Sequence, residues 1–275
     1  MDRALWGRFI AIRELLDDPD YLAATIAFGA APTLAGIKPA TLLAFTSGGR
    51  DLHGLWGRFK HEAAALLALE YFELVRAATR TLVLFYRRGA LEKQLADPGI
   101  ASFLTDLGYE TGASPADTLL DLRGRSGSTF PHEIGVLLGI PVEDVRSFME
   151  HGGKDCLCSG YWKVYHDPAR AGRIFRAYDR ARNAAAAAFL DEHGQPCPAG
   201  TAAINGKCPL ARAGVASRLA VLPAAGETSI GTRATDRAWP ASLGTQAAGA
   251  AGVMPADPWK PGLSLGVFRK GNRYP

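Results

Sequence analysis

The sequence predicts an α+β fold: a single domain with a mixed sheet of about five strands covered by helices, followed by a disordered C-terminal tail. Three observations lead to this prediction. Several segments repeat apolar residues at helical spacing, other short segments are rich in aromatic and β-branched residues, and the composition changes after His193. We therefore expect a domain over residues 1–193 and a separate basic tail over residues 194–275.

Two helices and an extended segment are predicted at the start of the chain. The first helix follows from apolar residues that recur at spacings of four, three and four, namely Leu5, Phe9, Ile12 and Leu16. It is expected to end at Asp17-Asp18-Pro19, and a second short helix is expected over residues 21–28. Residues 35–45 are predicted to be extended, and Pro39 suits an edge strand or a bulge because it lacks a backbone donor.

A helix and a β-hairpin are predicted next. Apolar residues return to helical spacing over residues 55–69, at Trp56, Phe59, Ala63 and Leu66. The aromatic and β-branched content of residues 70–76 and 80–87 favours two strands that form a hairpin. A helix that continues to Ala78 is the alternative.

Helices and a buried strand are predicted between residues 90 and 140. Residues 90–107 have helical character with a break at Asp97-Pro98. Ser114-Pro115 then combines a capping residue with proline at the first position of another helix. The apolar segment 132–140 lies between two prolines and is too short for a full helix, so it is predicted as a buried strand.

The last part of the domain is predicted as a helix, a strand and a long helix. Pro141 is followed closely by two acidic residues, and Gly152-Gly153 comes after the apolar positions, which are the start and stop signals of one helix. Residues 156–165 are predicted as the fifth strand. Asp167-Pro168 begins the final helix, which is expected to continue to Gly194.

The positive charge of the chain is concentrated in the tail. The whole sequence has 31 Lys and Arg against 27 Asp and Glu; residues 194–275 hold nine and three of these, which leaves residues 1–193 with 22 against 24 and a net charge of −2. Nucleic-acid binding is not expected, because it needs basic residues clustered on one ordered face. The tail is predicted to be disordered, since it has too few large apolar residues to offset the entropy of ordering.

Export and membrane insertion are not expected from the sequence. Charges at Asp2, Arg3 and Arg8 interrupt any apolar stretch that would resemble a secretory signal. The longest early segment without charge, residues 21–37, is too short to span a bilayer comfortably as a helix. Four cysteines do not form the dense framework of a small disulfide-rich domain. A reducing cytoplasm is the expected compartment.

The motif Cys156-Leu157-Cys158 is a candidate metal or redox site. On a strand, two thiols two residues apart lie on the same face, where they could share a soft metal ion or undergo oxidation. A single pair supplies only half of a tetrahedral metal site, and buried cysteine commonly serves as a small apolar residue. Packing is therefore the alternative role.

His132 and Glu133 are candidate catalytic residues at the start of a predicted buried strand. Either could act as a general acid or base, but adjacent strand residues point to opposite faces and could not easily act on one atom together. The alternative is that His132 hydrogen-bonds the preceding loop while Glu133 pairs with a surface cation.

Two lysines and two tyrosines are candidate ligand-binding residues. Tyr161, Lys163 and Tyr165 would share one face of the predicted last strand, where a planar ligand could stack and Lys163 could hold an anion or act in catalysis. The alternative for Lys163 is that its amine extends to water. Lys38 lies between Gly36 and Pro39, in a constrained backbone that is expected to approach a ligand or only another strand.

Three segments of the chain resemble the DUF3793 family of bacterial proteins, found largely in anaerobes. They are Ala31-Pro32-Thr33-Leu34-Ala35-Gly36-Ile37-Lys38-Pro39-Ala40, Phe130-Pro131-His132-Glu133-Ile134-Gly135 and Cys158-Ser159-Gly160-Tyr161-Trp162-Lys163-Val164-Tyr165, in the family's order. Residues 82–87 look like the family's strand before a helix, which supports the hairpin. The resemblance covers roughly residues 20–190 and implies no catalytic residue, because the family has no assigned activity.

Two functions of different classes are consistent with these patterns. The first is a cytoplasmic protein that binds a small molecule or a metal and carries a redox-capable thiol, using Cys158 with residues at strand ends, namely His132, Glu133, Tyr161 and Lys163. The second is a non-catalytic interaction domain whose basic tail docks an acidic partner. The sequence identifies no cofactor, because it contains no Gly-rich phosphate loop, dinucleotide fingerprint, His-Glu-x-x-His motif or nucleophile elbow.

Overall fold

The computed structural model of the chain describes residues 2–110, 112–126 and 130–193. Its helices are α1 (Arg3–Arg13), α2 (Asp18–Gly29), α3 (Ala31–Leu34), α4 (Leu52–Leu66), α5 (Arg88–Leu95), α6 (Pro98–Asp106), α7 (Pro115–Arg125), α8 (Ile134–Leu137), α9 (Val142–His151) and α10 (Pro168–His193). Its strands are β1 (Ala40–Thr46), β2 (Glu70–Ala77), β3 (Arg80–Tyr86), β4 (Cys158–Ser159) and β5 (Lys163–Val164). The fold is thus a mixture of helix and strand in which helix dominates.

The main sheet has three antiparallel strands in the order β1-β3-β2. Leu43 of β1 pairs with Val83 of β3, and Phe72 of β2 pairs with Leu84 on the other side of the same strand. The predicted hairpin over residues 70–76 and 80–87 is confirmed, and the alternative helix to Ala78 is wrong.

Helices cover both faces of this sheet. Along β3, Val83 and Phe85 belong to a cluster with Trp56 of α4, whereas Leu84 and Tyr86 belong to a second cluster with α5 to α9. The alternation follows from the two-residue period of a strand, which sends successive side chains to opposite faces. Trp56 stacks on Phe45 with ring centroids 5.1 Å apart and meets Phe85 edge to face at 5.4 Å.

The helix boundaries follow from local capping. The side chains of Asp17, Asp51, Asp97 and Ser114 each accept a hydrogen bond from a backbone N–H in the first turn of the helix that follows. The predicted break at Asp97-Pro98 and the predicted helix start at Ser114-Pro115 are therefore confirmed. Helix α9 ends at His151 and is capped by Gly152, which adopts the left-handed conformation as expected for a C-terminal glycine.

The predicted single mixed sheet of about five strands is wrong in two segments. The predicted strand 132–140 contains the short helix α8, and Ile134, Gly135, Val136 and Leu137 are all buried. A continuous apolar run fits a buried helix as well as a buried strand, so the sequence pattern could not separate them.

The predicted strand 156–165 is a small hairpin of its own. Only β4 and β5 pair, with Cys158 opposite Val164, and the two strands form a separate two-stranded sheet. The Gly160 N–H donates to the Trp162 carbonyl at 3.0 Å, so the chain reverses where the prediction placed a continuous strand. The predicted extended segment 35–45 also begins later, at Ala40, because a turn precedes it.

Helix α10 crosses the domain and packs against α1, α2 and α3. The prediction that Asp167-Pro168 begins this helix is confirmed. Within the described ranges, none of the helices combines the length and the apolar character that a bilayer crossing requires. The predicted disorder of residues 194–275 lies outside the described residues.

Candidate functional site

A tight turn between α3 and β1 positions Lys38. Gly36 has a φ of +69°, in the left-handed region that favours glycine. The N–H groups of Ile37 and Lys38 both donate to the carbonyl of Pro32, at 2.8 and 3.3 Å. The backbone of this predicted ligand-binding residue is therefore fixed by the turn, and Pro39 stiffens the step into β1.

Helix α10 presents Tyr178 and Arg182 to this turn. The two residues are four apart and therefore lie on the same face of the helix. Ala181 and Ala185 on the adjoining positions are buried in the same cluster as Ile37, and such small side chains permit the helix to approach α3 closely. The Lys38 Nζ lies 5.4 Å from the centroid of the Tyr178 ring.

The turn between β4 and β5 adds Tyr161. Its ring meets the Tyr178 ring edge to face with centroids 5.1 Å apart. Its hydroxyl donates to Asp179 Oδ1 at 2.7 Å and accepts from Arg182 Nη1 at 3.2 Å. We call Lys38, Tyr161, Tyr178, Asp179 and Arg182 the Lys38 site.

Gly160 is required for this arrangement of the turn. A Cβ at this position would lie 2.2 Å from Cε2 of the Phe175 ring, far inside any normal contact distance. Phe175 in turn contacts both Tyr161 and Trp162, with ring centroids at 5.5 and 4.5 Å. The absence of a side chain at Gly160 thus allows Phe175 to support the tyrosine of the site.

The Lys38 site has more hydrogen-bond donors than acceptors. Among the described residues, neither the Lys38 amine nor the Tyr178 hydroxyl has a hydrogen-bond partner. The Arg182 Nε is buried and also lacks an acceptor within the described part of the chain. Because buried polar groups are normally paired, the unpaired Arg182 Nε favours a ligand that brings an acceptor to the site.

The pKa of the lysine and the pKa values of the two tyrosines in the site shift in opposite directions. Burial, followed by the nearby positive charge of Arg182, lowers the pKa of Lys38 from 10.5 to about 7. Burial raises the pKa of Tyr161 and of Tyr178 above the ordinary tyrosine value. Both tyrosines therefore keep their protons at neutral pH, whereas Lys38 is divided between the amine and the ammonium form.

In the structure, His132 and Glu133 do not lie on a strand as predicted. The His132 ring lies edge to face with Phe148 at 5.1 Å, and its buried Nδ1 has no partner among the described residues. Glu133 is buried and accepts a hydrogen bond of 3.0 Å from the Tyr109 hydroxyl. Both precede α8 in a turn, so the argument from opposite strand faces does not apply to them.

The geometry gives little support to the predicted chemical roles of the two thiols and of Lys163. Cys156 and Cys158 are free and half-buried, and burial is the main cause that raises the pKa of Cys158, which disfavours a reactive thiolate. The Lys163 Nζ donates to the Gly153 carbonyl, and Tyr165 stacks on His151 with centroids 5.6 Å apart. In the described ranges, no group of three or more His, Cys, Asp or Glu could hold a metal ion.

Asp144 is a structural residue that the sequence did not identify. This carboxylate is only 2% exposed and accepts hydrogen bonds from the Trp162 Nε1 at 2.7 Å and from the backbone of Tyr165 at 2.8 Å and His166 at 2.9 Å. It therefore ties α9 to the hairpin that carries Tyr161. From the sequence it was only an acidic residue in the first turn of a helix, where aspartate is common.

Tyr178 and Arg182 were also missed, since the sequence gave them no role beyond membership in the final helix. A basic residue four positions from a tyrosine, amid small alanines, was the available signal. It does not indicate which neighbouring element the pair faces. Of the predicted ligand-binding residues, the structure brings Lys38 and Tyr161 together, whereas Tyr165 contacts His151 instead.

Comparison with known proteins identifies a family. A family model described as "Protein of unknown function (DUF3793)" matches residues 26–195, a range that includes every residue of the Lys38 site. No curated protein matches the chain, and no solved structure matches it.

Proposed function

Because the chain belongs to the DUF3793 family, whose description records no function, we propose its function from the site itself: binding of a small organic anion between Lys38 and Arg182. The observation that carries the proposal is the excess of donors around the Tyr178 ring. Two cationic side chains and a tyrosine hydroxyl have groups without an acceptor in the described part of the chain.

An anion would relieve the unfavourable interactions in the site. Lys38 and Arg182 repel each other when both are charged, and the low pKa of Lys38 reflects this repulsion together with burial. A carboxylate or phosphate between them would offset the repulsion and supply acceptors to the unpaired donors. The rings of Tyr161 and Tyr178 offer contact area to the apolar part of an organic ligand.

The binding test uses the full chain and a panel of small anions at neutral pH. We expect isothermal titration calorimetry to detect binding of at least one carboxylate, with lactate, pyruvate, succinate and inorganic phosphate as probes. Replacing Arg182 with methionine removes a charge-assisted hydrogen bond, so the affinity should fall by roughly ten- to a hundredfold.

Arg180→Met is the matched control, because Arg180 is an exposed arginine on the same helix. It should leave the affinity within about twofold, as expected for a surface charge. The proposal fails if none of the probes binds, or if Arg180→Met and Arg182→Met weaken binding equally.

A second candidate function is favoured by a stripe of exposed arginines on α10. Arg170, Arg173, Arg176 and Arg180 are spaced by three, three and four residues, which places them on one helical face. Arg170 lies 3.9 Å from Glu143, and the other three have no ion pair within the described ranges. The positive charge of this stripe is complementary to an acidic protein segment. The chain therefore offers such a partner a basic surface on α10 in addition to the basic tail.

This second candidate function predicts that the positive charges on α10, and not those of the tail, bind the acidic partner. Anisotropy of a fluorescent poly-glutamate peptide should report salt-sensitive binding to the full chain. Charge reversal at Arg173, Arg176 and Arg180 together should weaken this binding about tenfold or more, whereas reversal of Arg269 and Lys270 in the tail should change it little. Equal losses from both sets, or tighter binding of a single-stranded oligonucleotide than of the peptide, would exclude an acidic partner on α10.

A further inference from the structure

We propose that the amine of Lys38 forms a reversible imine with a small 2-oxo acid whose carboxylate is bound by Arg182. This inference rests on the proposed anion-binding function and specifies the ligand class and the chemistry. It assigns Lys38 a covalent role, whereas anion binding alone requires only its hydrogen-bonding capacity.

Lys38 differs from the other lysines of the described chain in its surroundings. The Lys60 amine forms an ion pair with Glu73 at 2.9 Å, and the Lys163 amine donates to the Gly153 carbonyl. Lys93 and Lys154 are exposed to solvent. Within the described residues, the Lys38 amine has neither a hydrogen-bond acceptor nor an anionic partner, and only its contact with the Tyr178 ring favours the charged form.

A nucleophilic lysine needs a substantial uncharged fraction at neutral pH. Removal from water and a neighbouring cation are the two conditions that produce it, and both apply to Lys38. With a pKa of about 7, roughly half of the Lys38 side chains carry the free amine at that pH. An ordinary exposed lysine would have well under one in a thousand in that form.

The neighbours of Lys38 favour a carbonyl compound that also carries a carboxylate. The guanidinium of Arg182 uses Nη1 for the Tyr161 hydroxyl and has further N–H groups for a planar anion. In a 2-oxo acid the carboxylate is bonded directly to the carbonyl carbon, so one small molecule can reach the guanidinium and the amine together. The Tyr178 hydroxyl, which keeps its proton, is a donor for the carbonyl oxygen.

The chemical step is balanced without any further reagent. The Lys38 nitrogen attacks the carbonyl carbon to form a C–N bond, and the nitrogen loses its two protons as the carbonyl oxygen gains them. That oxygen then leaves as water, which breaks the C–O bond and gives the C=N bond of the imine. No oxidant or reductant is consumed, and addition of water reverses the reaction.

Reductive trapping tests this proposal on the full wild-type chain. Protein incubated with pyruvate at neutral pH is treated with sodium cyanoborohydride, which delivers hydride to the imine carbon and makes the adduct permanent. Intact mass spectrometry should then show the addition of one pyruvate less one oxygen atom, and peptide mapping should place it on Lys38. Lys154 in the same sample is the internal control and should remain unmodified.

Two further arms separate this proposal from anion binding itself. Lactate, which has no carbonyl group, should bind without giving an adduct. Lys38→Arg keeps a cation at the position but removes the nucleophilic amine, so it should lose the adduct, whereas Lys154→Arg, at an exposed position outside the site, should keep both anion binding and the adduct.

The outcomes distinguish the two proposals. Pyruvate that binds but gives no adduct on Lys38, or an adduct spread over exposed lysines, would overturn the imine and leave anion binding standing. A failure of every anion to bind, with no adduct formed, would overturn both.

Discussion

Replacing Asp144 with alanine is expected to destabilise the domain by about 3 kcal/mol. The carboxylate is buried and accepts hydrogen bonds from the Trp162 indole and from the backbone of Tyr165 and His166. Alanine would leave these donors without an acceptor, and each unsatisfied buried donor costs about 1–3 kcal/mol. Because water has partial access to the hairpin, we expect a total near the lower end of the summed cost of the three donors.

Urea unfolding followed by circular dichroism measures this change, with Glu143→Ala as the control. Glu143 precedes Asp144 on the same helix but is exposed, and its only described ion pair, with Arg170, is 3.9 Å long. Its replacement should alter the free energy of unfolding by less than about 0.5 kcal/mol. Asp144→Asn retains one acceptor oxygen and should give an intermediate loss, which keeps the test informative if the alanine variant does not fold.

The loss at Asp144 should extend to the Lys38 site. The hairpin that Asp144 anchors carries Tyr161, whose hydroxyl bonds Asp179 and Arg182. Asp144→Asn is therefore expected to weaken anion binding although Asp144 belongs to another part of the domain. An Asp144→Ala protein as stable as the wild type would show that the carboxylate does not hold the hairpin.

Replacing Lys38 with methionine is expected to stabilise the domain at neutral and lower pH and to have little effect near pH 10.5. The pKa of Lys38 is about 7 in the folded state against 10.5 for an ordinary lysine. Between these two values the unfolded chain binds more protons, so the free energy of unfolding of the wild type rises with pH across this window. Below pH 7 both states are protonated, and the full penalty of burying the ammonium is present.

The size of this gain should be about 2 kcal/mol at pH 6.5. The full shift in pKa would correspond to more, and we discount it because the Lys38 residue as a whole retains some exposure to solvent. The contact of the ammonium with the Tyr178 ring also favours the charged form by about 0.5 kcal/mol. Methionine preserves most of the apolar stem and therefore does not leave a large cavity.

Denaturant unfolding of both proteins at several pH values between 6.5 and 10 is the appropriate measurement. The difference between Lys38→Met and the wild type should decrease steadily as the pH rises. Lys154→Met provides the comparison for an exposed lysine and should show no such trend. A difference for Lys38→Met that is constant over this range would mean that the amine is ordinary and would remove one support for its nucleophilic role.

Lys38 is expected both to destabilise the fold and to react with the ligand, a combination that is characteristic of a functional residue. The same replacement should raise stability and abolish the adduct with pyruvate. Proteins commonly retain such a destabilising group where a ligand uses it. The stability of the variant would also show that a loss of adduct does not result from unfolding.

The sequence alone determined the features that depend on neighbouring residues. Caps at Asp97 and Ser114 and the proline after Asp167 fixed helix boundaries, because a cap is made by residues within one turn of each other. The hairpin of β2 and β3 was predictable from its aromatic and β-branched residues and a short connection. The family resemblance, which rests on local segments, was confirmed by the match over residues 26–195.

Only the tertiary structure decided the rest. Residues 134–140 carry no polar side chain, so the sequence could not distinguish a buried helix from a buried strand. One sheet of about five strands was therefore predicted where the structure has a sheet of three strands and a separate sheet of two. The Lys38 site joins a turn to a hairpin and a long helix that follow it in the chain by more than a hundred residues. No local pattern relates Lys38 to Arg182, because their proximity, and with it the lowered pKa of the lysine, arises from the packing of α10 against α3.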